Sequence, residues 1–225
     1  MGLSNSPRIV TDGLVLCLDA ANARSYPGTG ATWYDLSPYG HTASIVGTST
    51  WNSSYGGEFD FSSGQTTQYI SLPYQAAALT GSYYTMEFWM RPRSVGTRYF
   101  CSMSSGSNHN YYILQNTSTI QRFGGTGSVS YSQDEAIQFC VVRDNSNTGK
   151  FYKNGKFSTN STSITTISST VSGGWILNQE QDSLGGNFDP DQNFIGAFMM
   201  IKLYNKALTP DEIRQNYLAT KGRYE

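Results

Sequence analysis

Charge is scarce in this chain: Asp, Glu, Lys and Arg make up 14% of its 225 residues, against about 25% in ordinary soluble domains. The net charge is −1, and no basic stripe interrupts that balance, which argues against nucleic acid as a partner. Cysteine is also scarce. Cys17, Cys101 and Cys140 are odd in number and sit in apolar, strand-like surroundings (LVLCLD, RYFCSM, IQFCVVR), so buried free thiols are expected rather than a disulfide framework. No apolar run approaches the ~18 residues of a membrane span. The opening MGLSNSPRIVTDG lacks the apolar stretch of a signal peptide, so the expectation is synthesis in a cytoplasm without membrane insertion or N-terminal export. Histidine occurs twice, as His41 and His109, and neither lies near a Ser or Cys nucleophile motif.

With few charges, the polar surface must come from Ser, Thr, Asn, Gln and 16 Tyr. Such a neutral, hydroxyl-rich and aromatic surface suits a protein exposed outside the crowded cytosol or one that meets sugars. The sequons at Asn52, Asn116 and Asn160 are what chance supplies in this composition.

Short apolar or alternating runs recur between Gly, Ser, Asn and Pro clusters, which is the pattern of an all-β sandwich. Leu14–Leu18 is nearly continuous and reads as buried on both faces. Glu58-Phe59-Asp60-Phe61 alternates like a half-buried strand, and Tyr83–Met90 reads as a strand closed by Arg91-Pro92. Further strands are expected at 69–72, 98–103, 111–115, 120–123, 137–143, 175–177 and 194–204, with 158–172 an edge strand or a long loop. Asn154-Gly155 between apolar flanks marks a type I′ hairpin, because both central residues of that turn need positive φ. The one helix start is Thr209-Pro210-Asp211-Glu212, with Thr as N-cap, Pro at the first position and Glu closing a capping box. No linker divides the chain, so residues 1–225 read as one domain with an N-terminal arm over 1–12.

The stretch with the most chemistry is QEQDSLGGNFDPDQNF, residues 179–194. Glu180, Asp182, Asp189 and Asp191 alternate with amides around Gly185-Gly186, and no Lys or Arg occurs between Lys156 and Lys202. Carboxylate and amide oxygens on a bent loop are the donors a hard cation such as calcium prefers, whereas zinc would want Cys or His. A plain acidic surface turn is the other reading of the same residues.

This stretch resembles the calcium loop of pentraxins, and the likeness continues through IGAFMMIKLYNKALTPDEI (Ile195–Ile213). Upstream, GLVLCLDAANARSYPGTGATWYDLSPYGHTAS, GGEFDFSSGQTTQYISLP, YTMEFWMRP and FYKNGK resemble laminin-G-like modules found in structural proteins of tailed bacteriophages. The resemblance implies an all-β, antiparallel jelly-roll sandwich of concanavalin A-like or laminin G-like type with a short C-terminal helix. It implies one calcium ion held by Glu180, the carbonyl of Gln181, Asp182, Asp189 and Gln192. Asp189 stands where pentraxins often have the longer Glu. Asn108 and Asn110 stand where the family supplies an Asp-Asn pair, which would give a weaker site of fewer charges. The pentraxin disulfide does not carry over, because the 83–90 strand has no Cys.

In function the resemblance implies a non-enzymatic virion component, a capsid decoration protein or part of a tail or fibre. It would be assembled in the host cytoplasm into an oligomeric structure, beside viral capsid or tail proteins and with host-surface glycans as a further partner. A calcium-dependent lectin for sugars or phosphorylated head groups is the alternative. A β-glucanase-type hydrolase is the third reading, since Glu58 and Asp60 share a strand face as glucanase acids do. Ser62-Ser63 then stand where the second catalytic carboxylate belongs, and two carboxyls about 5 Å apart are required. Trp89 is expected in the core; Trp33, Trp51 and Trp175 are open between core and sugar-stacking roles.

Overall fold

The computed structural model describes residues 7–224 apart from 49, 62–66, 105–108, 117, 123–124, 145–147, 163, 165 and 167–173, with residues 78 and 109–116 described by backbone only. The first strands are β1 (Leu14–Asp19), β2 (Thr32–Trp33), β3 (Ala43–Val46), β4 (Thr50–Asn52), β5 (Glu58–Phe61) and β6 (Tyr69–Ser71). A five-residue helix, α1 (Tyr74–Ala78), leads to β7 (Tyr83–Pro92), β8 (Arg98–Ser104), β9 (His109–Asn116), β10 (Thr119–Arg122) and β11 (Ser128–Ser130). Then come β12 (Ile137–Asp144), β13 (Gly149–Lys153), β14 (Lys156–Ser161), β15 (Trp175–Leu177), β16 (Gly196–Tyr204) and the helix α2 (Pro210–Thr220).

These strands form two antiparallel sheets. One runs β14-β13-β12-β7-β16-β5-β4, with β1 also paired to β16; the other runs β11-β10-β9-β8-β15-β6-β3-β2. The architecture is the β-sandwich with a short C-terminal helix that the alternating runs and their resemblance imply. Alternation on β7 fixes which face is inside: Tyr84, Met86, Phe88 and Met90 join the core between the sheets, and Thr85, Glu87, Trp89 and Arg91 point the other way. β16 serves three neighbours by means of a bulge between Phe198 and Met200. Residues 196–198 pair with β5 and residues 200–204 with β1. The extra residue lets Phe198 and Ile201 both face the core.

The outer face of the first sheet is covered rather than wet. Helix α2 and the N-terminal arm lie over it, burying Val10, Cys17, Cys140, Tyr204 and Ile213 in one cluster and Trp89, Met200 and Tyr224 in another. All three cysteines are free and buried, and burial pushes the Cys17 and Cys101 thiols up to about 12. A row of side chains crosses this covered face from Cys17 through Lys202 and Glu87 to Cys140, each on the next strand. Lys202 Nζ lies 2.5 Å from Glu87 Oε1 with both side chains fully buried. Glu87 also accepts from Gln138 Nε2 and from Asn216 Nδ2 of α2, each at 2.9 Å. Asn216 Oδ1 in turn accepts the Val10 N–H at 2.8 Å, so one carboxylate ties sheet, helix and arm together.

Local signals held where they were strongest. Asn154 and Gly155 have φ of 50° and 72°, as the type I′ hairpin requires. Thr209 caps α2 with a reciprocal capping box to Glu212. Thr209→Ala should therefore cost about 1 kcal/mol, read as a lower denaturant midpoint; an unchanged midpoint would mean that packing alone holds the helix.

Three readings differ. β7 runs on through Arg91 and Pro92, because Pro92 needs no N–H where it pairs opposite Gly196. α1 follows Pro73 and is too short to show a helical period. Glu58 is fully buried rather than an outer polar position of a half-buried strand.

Candidate functional site

The acidic loop leaves β15 at Asn178, whose φ of 80° turns the chain out of the sheet. Its base is closed by Phe194 N–H donating to the Asn178 carbonyl at 3.0 Å. Ser102 Oγ on β8 donates to the Gln179 carbonyl at 2.7 Å, and Gln179 Nε2 reaches the Gln68 carbonyl at 2.9 Å. Gln181 is buried and spans the loop: its Nε2 donates to Ser102 Oγ and the Gly174 carbonyl at 2.9 and 2.8 Å, and its Oε1 accepts Gly185 N–H at 2.9 Å. The side chain of Gln181 is thus structural.

The turn at Leu184-Gly185 is tied by reciprocal hydrogen bonds between Ser183 and Gly186 at 3.2 and 3.1 Å. Gly185 has φ of 65°, where a Cβ would be strained. Phe188 packs edge-on against Tyr69 of β6, ring centroids 5.2 Å apart, and so anchors the returning arm. Asp189 then holds an Asx turn, accepting Asp191 N–H at 2.9 Å and Gln192 Nε2 at 2.8 Å. The Gln192 carbonyl accepts Tyr99 N–H at 2.8 Å. Arg98 Nη1 donates to the Asp191 carbonyl at 2.7 Å, so this base bonds the loop's backbone.

This folding brings Glu180, Asp182 and Asp189 together. Glu180 is only 3% exposed. Its carboxyl is pushed up to about 7, first by burial and then by the charge of Asp182, with which it shares a hydrogen bond; the charge of Asp189 adds to this, and a hydrogen bond from the Asp189 backbone opposes it. Burial, and then the charges of Glu180 and Asp182, raise the Tyr99 hydroxyl. Asp182 and Asp191 are exposed at the rim.

The donors are all oxygens, and a cation would offset the repulsion that adds to burial in raising Glu180. In chemistry the residues fit calcium. In placement they pair with one another, Glu180 with Asp182 and Asp189 with Gln192. Among the described residues no group of three or more His, Cys, Asp or Glu is arranged to hold a metal ion. Asn108 lies outside the described residues, as do the side chains of Asn110 and His109. The backbone of Asn110 runs beside the Ser104 end of β8, where Ser104 N–H meets the Gly174 carbonyl; Gln192 meets the other end, at Tyr99.

Sequence reasoning missed Arg98, Tyr99 and Ser102 on β8 and Gln68 just before β6, which hold the loop. Only the sheet order brings them there. The glucanase-like pair resolves into an ion-pair cluster. Arg91 grips Glu58 with Nη2 at 2.6 Å and Nε at 3.3 Å, and Arg93 Nη2 adds a third contact at 2.9 Å. Asp60 pairs with Arg93, and Asp134 with Arg91. Of the tryptophans, Trp33, Trp89 and Trp175 are buried, whereas Trp51 is half-buried with its indole N–H on the Ala20 carbonyl. His41 stacks on Tyr39, with ring centroids 5.8 Å apart.

Fold and loop together define a lectin-like β-sandwich. The family model of the concanavalin A-like lectin/glucanases superfamily matches residues 63–214, more than half of the chain, and the chain belongs to that superfamily. Human C-reactive protein is 46% identical over 43 residues, 19% of this chain and 19% of that protein. Mouse neuronal pentraxin receptor is 50% identical over 38 residues, 17% of this chain and 8% of that protein. The match thus spans less than a fifth of either relative.

Among solved structures, domain 4 of an extracellular arabinanase from Geobacillus stearothermophilus, in complex with arabinotriose, superposes with a TM-score of 0.64 at 17% identity, covering 93% of this chain and 100% of that one. The binding domain of botulinum neurotoxin serotype C1 gives 0.64 at 14% identity, covering 92% of this chain and 52% of that one. Trypanosoma rangeli sialidase, in complex with the inhibitor DANA, gives 0.61 at 13% identity, covering 99% of this chain and 36% of that one. Likeness at this identity is likeness of fold. No helix among the described residues is long and apolar enough to cross a membrane.

Proposed function

We propose that this chain is a non-enzymatic structural component of a bacteriophage virion, a capsid decoration protein or part of a tail or fibre, whose lectin-like fold carries one calcium ion in the 179–192 loop. The observation that carries the calcium reading is the gathering of Glu180, Asp182 and Asp189, with the Glu180 carboxyl raised to about 7 by burial first and then by the charges of the other two. Glu180, Asp182, Asp189, Gln192 and the Gln181 carbonyl would hold the ion, joined by Asn108 and Asn110. Bound there, calcium supplies positive charge that fastens the two arms of the loop. The chain's own part is to hold that loop on β8 and β6 through Ser102, Tyr99 and Tyr69.

The non-enzymatic reading rests on Glu58, whose oxygens are taken by Arg91 and Arg93 and cannot serve as a free acid or nucleophile. The virion reading rests on the likeness of the opening segment, residues 13–44, to modules of phage structural proteins. Mass spectrometry of density-purified phage particles should find the chain in the virion; its absence there would defeat that reading. Asp182→Asn should lose most of its calcium affinity in a calorimetric titration, and unchanged affinity would remove the site from this loop.

A second reading is a calcium-dependent lectin for sugars or phosphorylated head groups. It is favoured by the arabinotriose-bound domain, which superposes over its whole length. Saturable sugar binding that disappears with a chelator, in a protein absent from particles, would select it.

A further inference from the structure

A groove of about 600 Å³ lies between the β13–β14 hairpin and α2, over the outer face of the first sheet. Four cations line it, Lys153 and Lys156 from the hairpin and Arg214 and Lys221 from the helix end, against one acid, Glu135. The chain holds only 15 Lys and Arg in all, so more than a quarter of its positive charge meets here. Glu135 is already matched, by Lys153 Nζ at 2.9 Å. Lys156 and Arg214 are exposed and make no ion pair among the described residues. Elsewhere Arg91, Arg93, Lys150, Lys202, Lys206 and Arg223 sit on carboxylates, and Arg98 and Arg143 on backbone carbonyls. Arg8 and Arg24 are also exposed without an ion pair among the described residues, but they do not line this groove.

The walls are fixed. The hairpin tip is pinned by Gly155 N–H to Gln138 Oε1 at 2.8 Å and by Asn154 N–H to the Gln138 carbonyl at 2.9 Å. A Cβ on Gly155 would meet the Tyr217 side chain at 3.0–3.2 Å, so the tip sits directly on the helix. Tyr217 is held in turn by stacking on Trp89, centroids 5.9 Å apart, with Lys221 Nζ 5.6 Å from its ring centroid. At the rim Phe157 leaves 54% of its surface exposed beside Lys156. A rigid cleft with spread cations and one open aromatic ring fits an extended ligand carrying several negative charges on a ring-built backbone.

The geometry points to this groove as a binding site for an acidic polysaccharide, one bearing carboxylates or sulfates, that works without calcium. The cations neutralise the charged groups, and Phe157 offers its face to the apolar side of a sugar ring. The site stands on the opposite sheet from the acidic loop, which hangs on β8 and β15. It would survive failure of the calcium reading.

The test is affinity measurement on the whole chain with four probes: polygalacturonate, dextran sulfate, neutral dextran and polyglutamate, with duplex DNA as a fifth. Binding is expected to at least one acidic polysaccharide, unchanged by a chelator and by Asp182→Asn, and absent with neutral dextran. The paired change Lys156→Glu with Arg214→Glu, both on the surface, should weaken it at least tenfold with no change in unfolding midpoint. The log–log dependence on salt should become shallower by about one to two, as expected when two charge contacts are removed. Phe157→Ala should weaken the polysaccharide further while leaving the salt slope alone. The proposal is overturned if no acidic polysaccharide binds, if the charge reversals leave binding intact, or if polyglutamate or DNA binds at least as tightly as the polysaccharides.

Discussion

Lys202→Met is expected to destabilise the fold by about 3–5 kcal/mol, the usual cost of stranding one member of a buried ion pair. Lys202 and Glu87 are both fully buried and 2.5 Å apart. Removing the ammonium leaves the Glu87 carboxylate with two amide donors, from Gln138 and Asn216, and no countercharge. In a domain of this size the thermal midpoint should fall by roughly 10 °C. Because Asn216 also carries the arm through Val10, exchange protection at the start of α2 and at Val10 should fall with it. Glu87→Gln combined with Lys202→Met should recover much of the loss, since an amide there needs no cation. A single change costing under about 1 kcal/mol would mean that Glu87 takes up a proton instead.

The second large effect is a pH dependence carried by Glu180. Its carboxyl lies near 7 in the fold against an ordinary value of 4.5, so the folded chain binds this proton more tightly than the unfolded chain. The stability it contributes is full below about 4.5 and is lost as pH rises through about 7. In chelator the protein should therefore be less stable at pH 8 than at pH 5, by about 2.5 kcal/mol from this group. Glu180→Gln should flatten that slope and exceed the parent in stability at pH 8 in chelator. With millimolar calcium the order should reverse, because the parent alone then offers a carboxylate to the ion. Equal slopes in parent and variant would move the titration to another group.

How far these features could be read beforehand depended on their range. The Asn154-Gly155 turn and the Thr209–Glu212 capping box are contained in a few neighbouring residues, and both formed as expected. The sandwich was legible because period-two alternation is local to each strand. What the sequence could not show was the partner on another strand. Glu58 and Asp60 looked like outward acids until the end of β7 brought Arg91, and Arg93 just beyond it, more than thirty positions away, onto them. The acidic loop's own carboxylates and amides were legible but not its supports, because Arg98, Tyr99 and Ser102 come from β8 and Gln68 from the approach to β6, whose placement beside β15 only the sheet determines. The basic groove was hidden for the same reason: Lys156 and Arg214 are nearly sixty residues apart, and only α2 folding back over the hairpin unites them.

The central claim is the calcium loop, and thermal unfolding of the full chain at pH 8, in chelator and then in millimolar calcium, tests it most directly. An ion that binds only the folded state at about 100 times its dissociation constant adds about 2.7 kcal/mol, which should raise the midpoint by some 5–10 °C. Asp182→Asn should lose nearly all of that rise. A midpoint identical in calcium and chelator would contradict the account and leave the gathered acids as a surface for a partner instead.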